Sequence, residues 1–100
     1  MIVAIDVGNT TTEIGLIDAE QQIRERFRIS SLPRTTDELG LQILQLLGSR
    51  GVPPDAVDGA IICSVVPSLQ YTVEKACRRY LEDEPLVVGR KLKTGKETRP

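Results

Sequence analysis

Residues 2–18, IVAIDVGNTTTEIGLID, decide the fold. The stretch begins as an apolar run that is too short for a helix, reaches Asp6, passes through a small polar turn and becomes apolar again. Short apolar runs bounded by turn residues are typical of buried strands. Gly8 and Asn9 tolerate a positive φ, which favours a tight hairpin. The stretch therefore predicts two antiparallel strands, with Asp6 at the carboxyl end of the first.

The rest of the chain predicts one more strand and then two helix–strand units. Residues 22–30 alternate between apolar and basic side chains, as an edge strand with one wet face does. Thr35 and Glu38 form a capping box, which is a helix start signal. The predicted strands cover 2–7, 12–18, 22–30, 58–66 and 86–88, and the two predicted helices begin at Thr35 and Pro67.

The predicted element order is β-β-β-α-β-α-β. A three-stranded meander followed by two helix–strand units predicts an α/β fold, a mixed five-stranded sheet with helices packed on it. The chain of 100 residues fits a single domain. We expect residues 1–89 to form this domain and residues 90–100 to form a polar, basic tail.

Composition excludes several classes of function. The net charge of −1 argues against nucleic acid or an anionic membrane as a partner. The chain has no histidine, so a Ser-His-Asp triad cannot be built within it, and carboxylates remain as proton acceptors. Cys63 and Cys77 fall where small apolar residues are needed, which predicts structural thiols in a reducing, cytoplasmic setting. A redox pair or a metal site stays open as an alternative for them.

The turn after the first strand has the chemistry of a phosphate site. Its backbone amides and the hydroxyls of Thr10–Thr12 are hydrogen-bond donors, and Gly8 lets a phosphate approach closely. Asp6 would repel a polyphosphate unless a divalent cation lay between them, which implies Mg²⁺. The segment is neither a Walker A motif nor a dinucleotide fingerprint. A plain hairpin turn without a ligand is the alternative interpretation.

Asp6-Val7-Gly8-Asn9-Thr10, with Gly15 five residues on, resembles the first phosphate motif of the actin, Hsp70 and sugar-kinase superfamily. More narrowly, the chain is similar to the N-terminal half of the type III pantothenate kinases, a family also labelled Bvg accessory factor-like. The other matches, in the order and spacing of the family, are Arg28-Ile29-Ser30, Thr36-Asp37-Glu38-Leu39-Gly40, Ser64-Val65-Val66-Pro67 and Gly89 followed by Lys93-Thr94-Gly95.

This resemblance implies a ribonuclease H-like or actin-like ATPase half-domain. It also implies that ATP phosphorylates pantothenate to 4′-phosphopantothenate, the first committed step towards coenzyme A. Asp6 would then lie near Mg²⁺, and a monovalent cation, potassium or ammonium, and a homodimer are implied as well. By similarity the loop that binds the ATP phosphates consists of Asp6, Val7, Gly8, Asn9, Thr10, Thr11, Thr12 and Glu13.

The resemblance stops short of the catalytic base. Members of the family have a second half with a Gly-Ala-Asp-Arg motif, whose aspartate is the base, and this motif does not occur in residues 1–100. We therefore predict no catalytic residue in the chain, place the base beyond Pro100, and expect residues 1–100 alone to lack kinase activity. A piece of a complete kinase is favoured over half of a split enzyme. A non-enzymatic Bvg accessory factor-like regulatory or protein-binding module is the alternative function.

Two residues are weaker candidates. Arg28 could belong to the site or could simply be a charge on an edge strand. Tyr71 is expected on a helix surface or in a dimer contact.

Overall fold

The computed structural model describes residues 1–88, and all the predicted elements are present in the predicted order. Gly89, the predicted tail at 90–100 and the Lys93-Thr94-Gly95 match lie outside the described residues. The elements are β1 (Ile2–Val7), β2 (Thr11–Ile17), β3 (Ile23–Ser30), α1 (Thr36–Gly48), a single 3-10 turn (Pro54–Ala56), β4 (Gly59–Ser64), α2 (Pro67–Tyr80) and β5 (Leu86–Val88).

The five strands form one mixed sheet in the order β3-β2-β1-β4-β5. β1, β2 and β3 are antiparallel neighbours, while β4 runs parallel to β1 and β5 runs parallel to β4. Short connections join the antiparallel strands, whereas each parallel strand is reached through a helix, as parallel pairing requires. The predicted α/β architecture with a mixed five-stranded sheet is confirmed.

Strand alternation divides the sheet into two unlike faces. On β1, the odd-numbered residues are buried and the even-numbered residues are half-buried or exposed. Both helices pack on the face that carries the buried residues, which we call the helix-covered face. No helix or strand of residues 1–88 covers the opposite face, the open face. The core of the helix-covered face consists mainly of Val3, Ile5, Val7, Ile14, Leu16, Ile62, Leu39, Ile43, Leu47, Val73, Ala76 and Cys77.

The start of α1 forms as its sequence predicts. The amide of Glu38 donates to Thr35 Oγ1 over 3.1 Å, and the amide of Thr35 donates to Glu38 Oε1 over 2.9 Å. This capping box satisfies two amides that the first turn of a helix would otherwise leave without partners. Neither helix in residues 1–88 has the length and apolar content needed to cross a membrane.

The two helices meet where the start of α1 touches the end of α2. Asp37 Oδ1 accepts hydrogen bonds from the Tyr80 hydroxyl over 2.5 Å and from Arg79 Nη1 over 2.9 Å. The bond with Tyr80 lowers the pKa of Asp37 and raises the pKa of Tyr80. Gly40 lies beneath the tyrosine ring, so closely that a Cβ there would overlap the ring atoms.

We therefore expect Gly40→Ala to destabilise the protein. In an open helix interior, alanine is more favourable than glycine by about 1 kcal/mol. At this position the added methyl must displace the Tyr80 ring, which costs about 1–3 kcal/mol for a strained contact. Urea unfolding followed by circular dichroism should give a lower midpoint for Gly40→Ala than for the parent.

The matched control is Gly48→Ala, at the end of the same helix. A Cβ at Gly48 would meet nothing within 4 Å, so this variant should be as stable as the parent or slightly more stable. An equal gain from both substitutions would contradict the proposed contact between Gly40 and Tyr80.

Candidate functional site

The candidate site lies at the edge of the sheet where the parallel strands end. β1, β4 and β5 all run towards this edge, and Asp6 is the last residue of β1 on the open face. Its carboxylate is exposed, with Glu13 opposite it on β2 and Cys63 beside it on β4. Ligands in open α/β sheets typically bind outside the carboxyl ends of the strands, so this position favours a binding site.

Three backbone hydrogen bonds fix the loop between β1 and β2. The Gly8 amide donates to the Thr11 carbonyl over 3.0 Å and closes the turn. The Ser31 amide donates to the Thr10 carbonyl over 2.8 Å, and the Val65 amide donates to the Val7 carbonyl over 3.1 Å. The loop is therefore hydrogen-bonded to the segment after β3 and to the segment after β4.

The tight turn brings Gly8 close to the Thr11 carbonyl oxygen and does not use a left-handed backbone conformation. The predicted hairpin is present, but within residues 1–88 positive φ angles occur only at Gln21, Gly51 and Glu82, so the turn does not use the tolerance of Gly8 and Asn9 for a positive φ. Glycine is needed at position 8 for a different reason. A Cβ there would lie 3.0 Å from the Thr11 carbonyl oxygen, a contact tighter than most real Cβ contacts, so the backbone at Thr11 would have to shift.

The loop presents unused donors to solvent. Asn9 and Thr10 are exposed, and within residues 1–88 their backbone amides donate to no other group. Successive free amides of this kind form a concave site for anions. A cleft of about 750 Å³, wide open to solvent, adjoins the loop and is lined by Asp6, Gly8, Thr11, Glu13 and Arg28.

Two of the predicted loop residues point the other way. Val7 is fully buried and Thr12 is 5% exposed, both on the helix-covered face. Thr12 Oγ1 lies 2.7 Å from Ser31 Oγ, so its hydroxyl joins β2 to the segment after β3. The prediction that all three threonine hydroxyls line the phosphate site is therefore wrong for Thr12. Strand alternation explains this, because Thr12 has the same parity as the buried Ile14.

An ion pair completes the site. Arg28 Nη2 lies 2.9 Å from Glu13 Oε2, and both side chains are largely exposed. Asp6 and Glu13 are directly paired across β1 and β2, where like charges repel. Arg28 offsets that repulsion. Its ion pair with Glu13 therefore supports the weaker prediction that Arg28 belongs to the site. The sequence alone could not identify this pair, because it depends on strand register.

The site has oxygen ligands of the kind that Mg²⁺ prefers, the carboxylates of Asp6 and Glu13. In the part of the chain that the structure describes, no group of three or more His, Cys, Asp or Glu side chains could hold a metal alone. A cation at Asp6 would therefore take its other ligands from phosphate and water.

The remaining candidate residues are buried, hydrogen-bonded locally or exposed on a helix surface. Cys63 and Cys77 are buried and free, and burial raises the pKa of the Cys77 thiol to about 12. The Ser64 hydroxyl is taken up locally, since it accepts from the Val66 amide over 2.9 Å and donates to the Val66 carbonyl over 3.0 Å. Tyr71 is 62% exposed on α2, with Lys75 Nζ 5.0 Å from the ring centre, which agrees with the predicted surface position.

Comparison with known proteins identifies relatives of the chain. A model of the family described as type III pantothenate kinase matches residues 2–99. A type III pantothenate kinase of Anaeromyxobacter sp. (strain K) is 44% identical over 96 residues, which are 95% of this chain and 37% of that protein. The chain thus spans little more than a third of the length of such curated relatives.

Solved structures share the fold at low sequence identity. A protein described as an N-acetylglucosamine kinase of Porphyromonas gingivalis superposes with a TM-score of 0.63 at 18% identity, over 89% of this chain and 34% of that one. T. thermophilus RuvC, in complex with a Holliday junction substrate, superposes with a TM-score of 0.57 at 13% identity, over 98% of this chain and 69% of that one. The predicted ribonuclease H-like or actin-like class of fold is confirmed.

The different placement of two threonines predicts different effects of their substitution on stability. Thr12→Ala removes a part-buried hydrogen bond and a buried methyl group, which should cost about 1–2 kcal/mol. Thr10→Ala changes an exposed loop residue and should leave stability unchanged. Urea unfolding of both variants checks this, and equal losses would contradict the assignment of the two side chains to different faces.

Proposed function

The chain belongs to the type III pantothenate kinase family, and from this premise we propose that it is the half of such a kinase that holds the phosphates of ATP. The proposed reaction transfers the γ-phosphoryl group of ATP to the hydroxyl of pantothenate. The observation that carries the proposal is the pair of amides at Asn9 and Thr10, which donate to no other group within residues 1–88, near the Asp6 carboxylate. The fold alone would not suffice, since it also occurs in RuvC bound to a Holliday junction.

Some loop residues bind the phosphates, and others support the loop. Phosphoryl transfer is catalysed mainly by positioning and by charge stabilisation. The amides of Asn9 and Thr10 donate to phosphate oxygens, while Gly8 keeps the turn tight and the approach free of a side chain. Thr11 offers a further hydroxyl at the cleft, whereas Val7 and Thr12 hold the loop from beneath.

Asp6 is the residue that would hold the metal. Mg²⁺, when bound, neutralises charge on the phosphates and so allows a carboxylate to lie beside them. Glu13 is paired with Arg28, and Asp6 lies opposite Glu13 at the carboxyl end of β1. The ion pair thereby limits the negative charge that an incoming polyphosphate meets.

The finer features of the activity belong to this proposal as well. The catalytic base and the rest of the pantothenate site come from polypeptide outside residues 1–100. A potassium or ammonium ion, assembly as a homodimer and a cytoplasmic location follow from family membership. We propose no nucleic-acid or membrane partner, since the net charge of −1 supports neither. No observation favours the regulatory or protein-binding alternative over the kinase.

Asp6→Asn tests the assignment of the metal ligand. The parent is a chimera in which residues 1–88 of this chain replace the aligned residues of the Anaeromyxobacter relative. The substitution removes the charge that attracts Mg²⁺ while keeping the shape of the side chain. We expect pantothenate-dependent ADP release to fall by about 100-fold or more, with unchanged circular dichroism.

Asp55→Asn in the same chimera is the matched control. Asp55 is exposed in the 3-10 turn beside the amino-terminal edge of β1, far from the loop, so activity should not change. If Asp6→Asn kept its activity with the same Mg²⁺ dependence, the assignment of Asp6 would be wrong.

The chain of residues 1–100 should not turn over ATP by itself. It supplies donors for phosphate but, on this proposal, no base for the pantothenate hydroxyl. We expect coupled-enzyme assays to detect no pantothenate-dependent ADP release from the purified chain under conditions where the chimera is active. Turnover by the isolated chain would place a base within residues 1–100 and overturn this part of the proposal.

A further inference from the structure

Arg28 lies in the row of residues that crosses the sheet at the candidate site. The strand register pairs Asp6 with Glu13 across β1 and β2, and Glu13 with Arg28 across β2 and β3. Neighbouring strands are about 4.8 Å apart, so the backbone of Arg28 lies about 10 Å from that of Asp6. All three residues line the cleft beside the loop. The cleft therefore has a basic side chain on one wall and an acidic side chain on the other.

The ion pair between Arg28 and Glu13 can open at little cost. Arg28 Nη2 lies 2.9 Å from Glu13 Oε2, and the two side chains are 72% and 49% exposed. An exposed ion pair contributes little to stability, because water solvates both charges and pairing restricts two long side chains. This contact is made by Nη2, whereas a guanidinium has five N–H donors in all. Arg28 can therefore bind another acceptor in addition to the carboxylate or in its place.

A phosphate group is a stronger acceptor for Arg28 than Glu13 is. The planar fork of a guanidinium matches two oxygens of one phosphate and binds them through parallel hydrogen bonds. A triphosphate also carries several negative charges, whereas the Glu13 carboxylate carries one, so its attraction to the arginine is larger. A phosphate held by the amides of Asn9 and Thr10 would lie next to the cleft that Arg28 lines.

Arg24, on the same strand, shows what a structural arginine looks like here. It is paired with Asp18, whose carboxylate also accepts from the Glu20 amide over 3.0 Å and from the Gln22 amide over 2.9 Å. That pair therefore stabilises the turn between β2 and β3. Arg24 lies four residues before Arg28, about 13 Å away along the strand. The two pairs differ in that the pair of Arg28 lines the cleft.

We propose that Arg28 binds the polyphosphate of the nucleotide and exchanges its bond with Glu13 for bonds with phosphate oxygens. Glu13 is then the resting partner, which keeps the guanidinium at the cleft while no phosphate is bound. The ligand is the triphosphate chain of a nucleotide with its Mg²⁺, and its charge is neutralised from both sides, by the metal near Asp6 and by Arg28. This inference rests on the proposed function, because it assigns a further residue to the same site.

Binding of inorganic tripolyphosphate with Mg²⁺ to the 100-residue chain, measured by calorimetry, tests the exchange. Arg28→Met should weaken binding by about tenfold or more, because charge-assisted hydrogen bonds are lost, and Arg28→Lys should weaken it less. Glu13→Gln should strengthen binding, because it removes the competing carboxylate. The two partners of the ion pair thus have opposite effects, whereas a purely structural pair would be weakened alike from either side.

Arg24→Met is the matched control. It changes the net charge by the same amount and lies on the same strand, but its pair belongs to the turn between β2 and β3. We expect its affinity to stay within about twofold of the parent, since screening by salt weakens a charge effect over that distance. Circular dichroism and urea midpoints of all the variants show whether each one is folded.

The chimera described above provides a second readout. There Arg28→Met should lower kcat/KM for ATP by about tenfold or more, as the loss of charge-assisted bonds to phosphate predicts, and leave KM for pantothenate unchanged. Arg28→Lys should recover part of the activity. A rise in KM for pantothenate alone would assign Arg28 to the other substrate and overturn the inference.

The binding experiment has three further outcomes that contradict the exchange. If the parent binds and Arg28→Met binds equally well, this inference is wrong while the proposed function stands. Weaker binding by Glu13→Gln would make Glu13 a ligand of the metal or the phosphate instead of a resting partner. Equal losses in Arg24→Met and Arg28→Met would reduce the effect to net charge. A parent that binds no tripolyphosphate would count against this inference and the proposed function together.

Discussion

The position of β1 between an antiparallel and a parallel neighbour is the constraint on which the rest of the structure depends. With β2 on one side and β4 on the other, β1 has no free edge and its residues must alternate between two faces. Val3, Ile5 and Val7 fill the core, so Ala4 and Asp6 must face the open side. The position of the candidate site and the open face of the sheet are consequences of the same alternation.

Local signals in the sequence were enough to predict the elements and the sheet. The capping box at Thr35 and Pro67 in the first turn of α2 fix the helix starts through short-range chemistry, and both occur as predicted. The order of strands and helices then restricts the sheet, because helical crossovers produce parallel neighbours and short turns produce antiparallel ones. These features need no knowledge of register or of side-chain direction.

The parts of the site that were not predicted depend on strand register and on side-chain direction. The direction of Thr12 follows from strand parity, which the run of three threonines conceals until the end of the turn is known. The bond between Thr12 and Ser31 joins residues 19 apart, and the Arg28–Glu13 pair needs the register of β2 against β3. Asp83 accepts from the Ala60 amide over 3.0 Å at the start of β4, and its acidic surroundings in the sequence give no sign of that contact.

The hydrogen bonds that anchor the loop bear on how a phosphate would bind to it. Bonds from Ser31 and Val65, together with the bond that closes the turn, hold the amides of Asn9 and Thr10 in place within this chain alone. A phosphate that binds there has little loop ordering to bring about, so its binding energy is not spent on arranging the donors. The candidate phosphate site is thus held by contacts within residues 1–88.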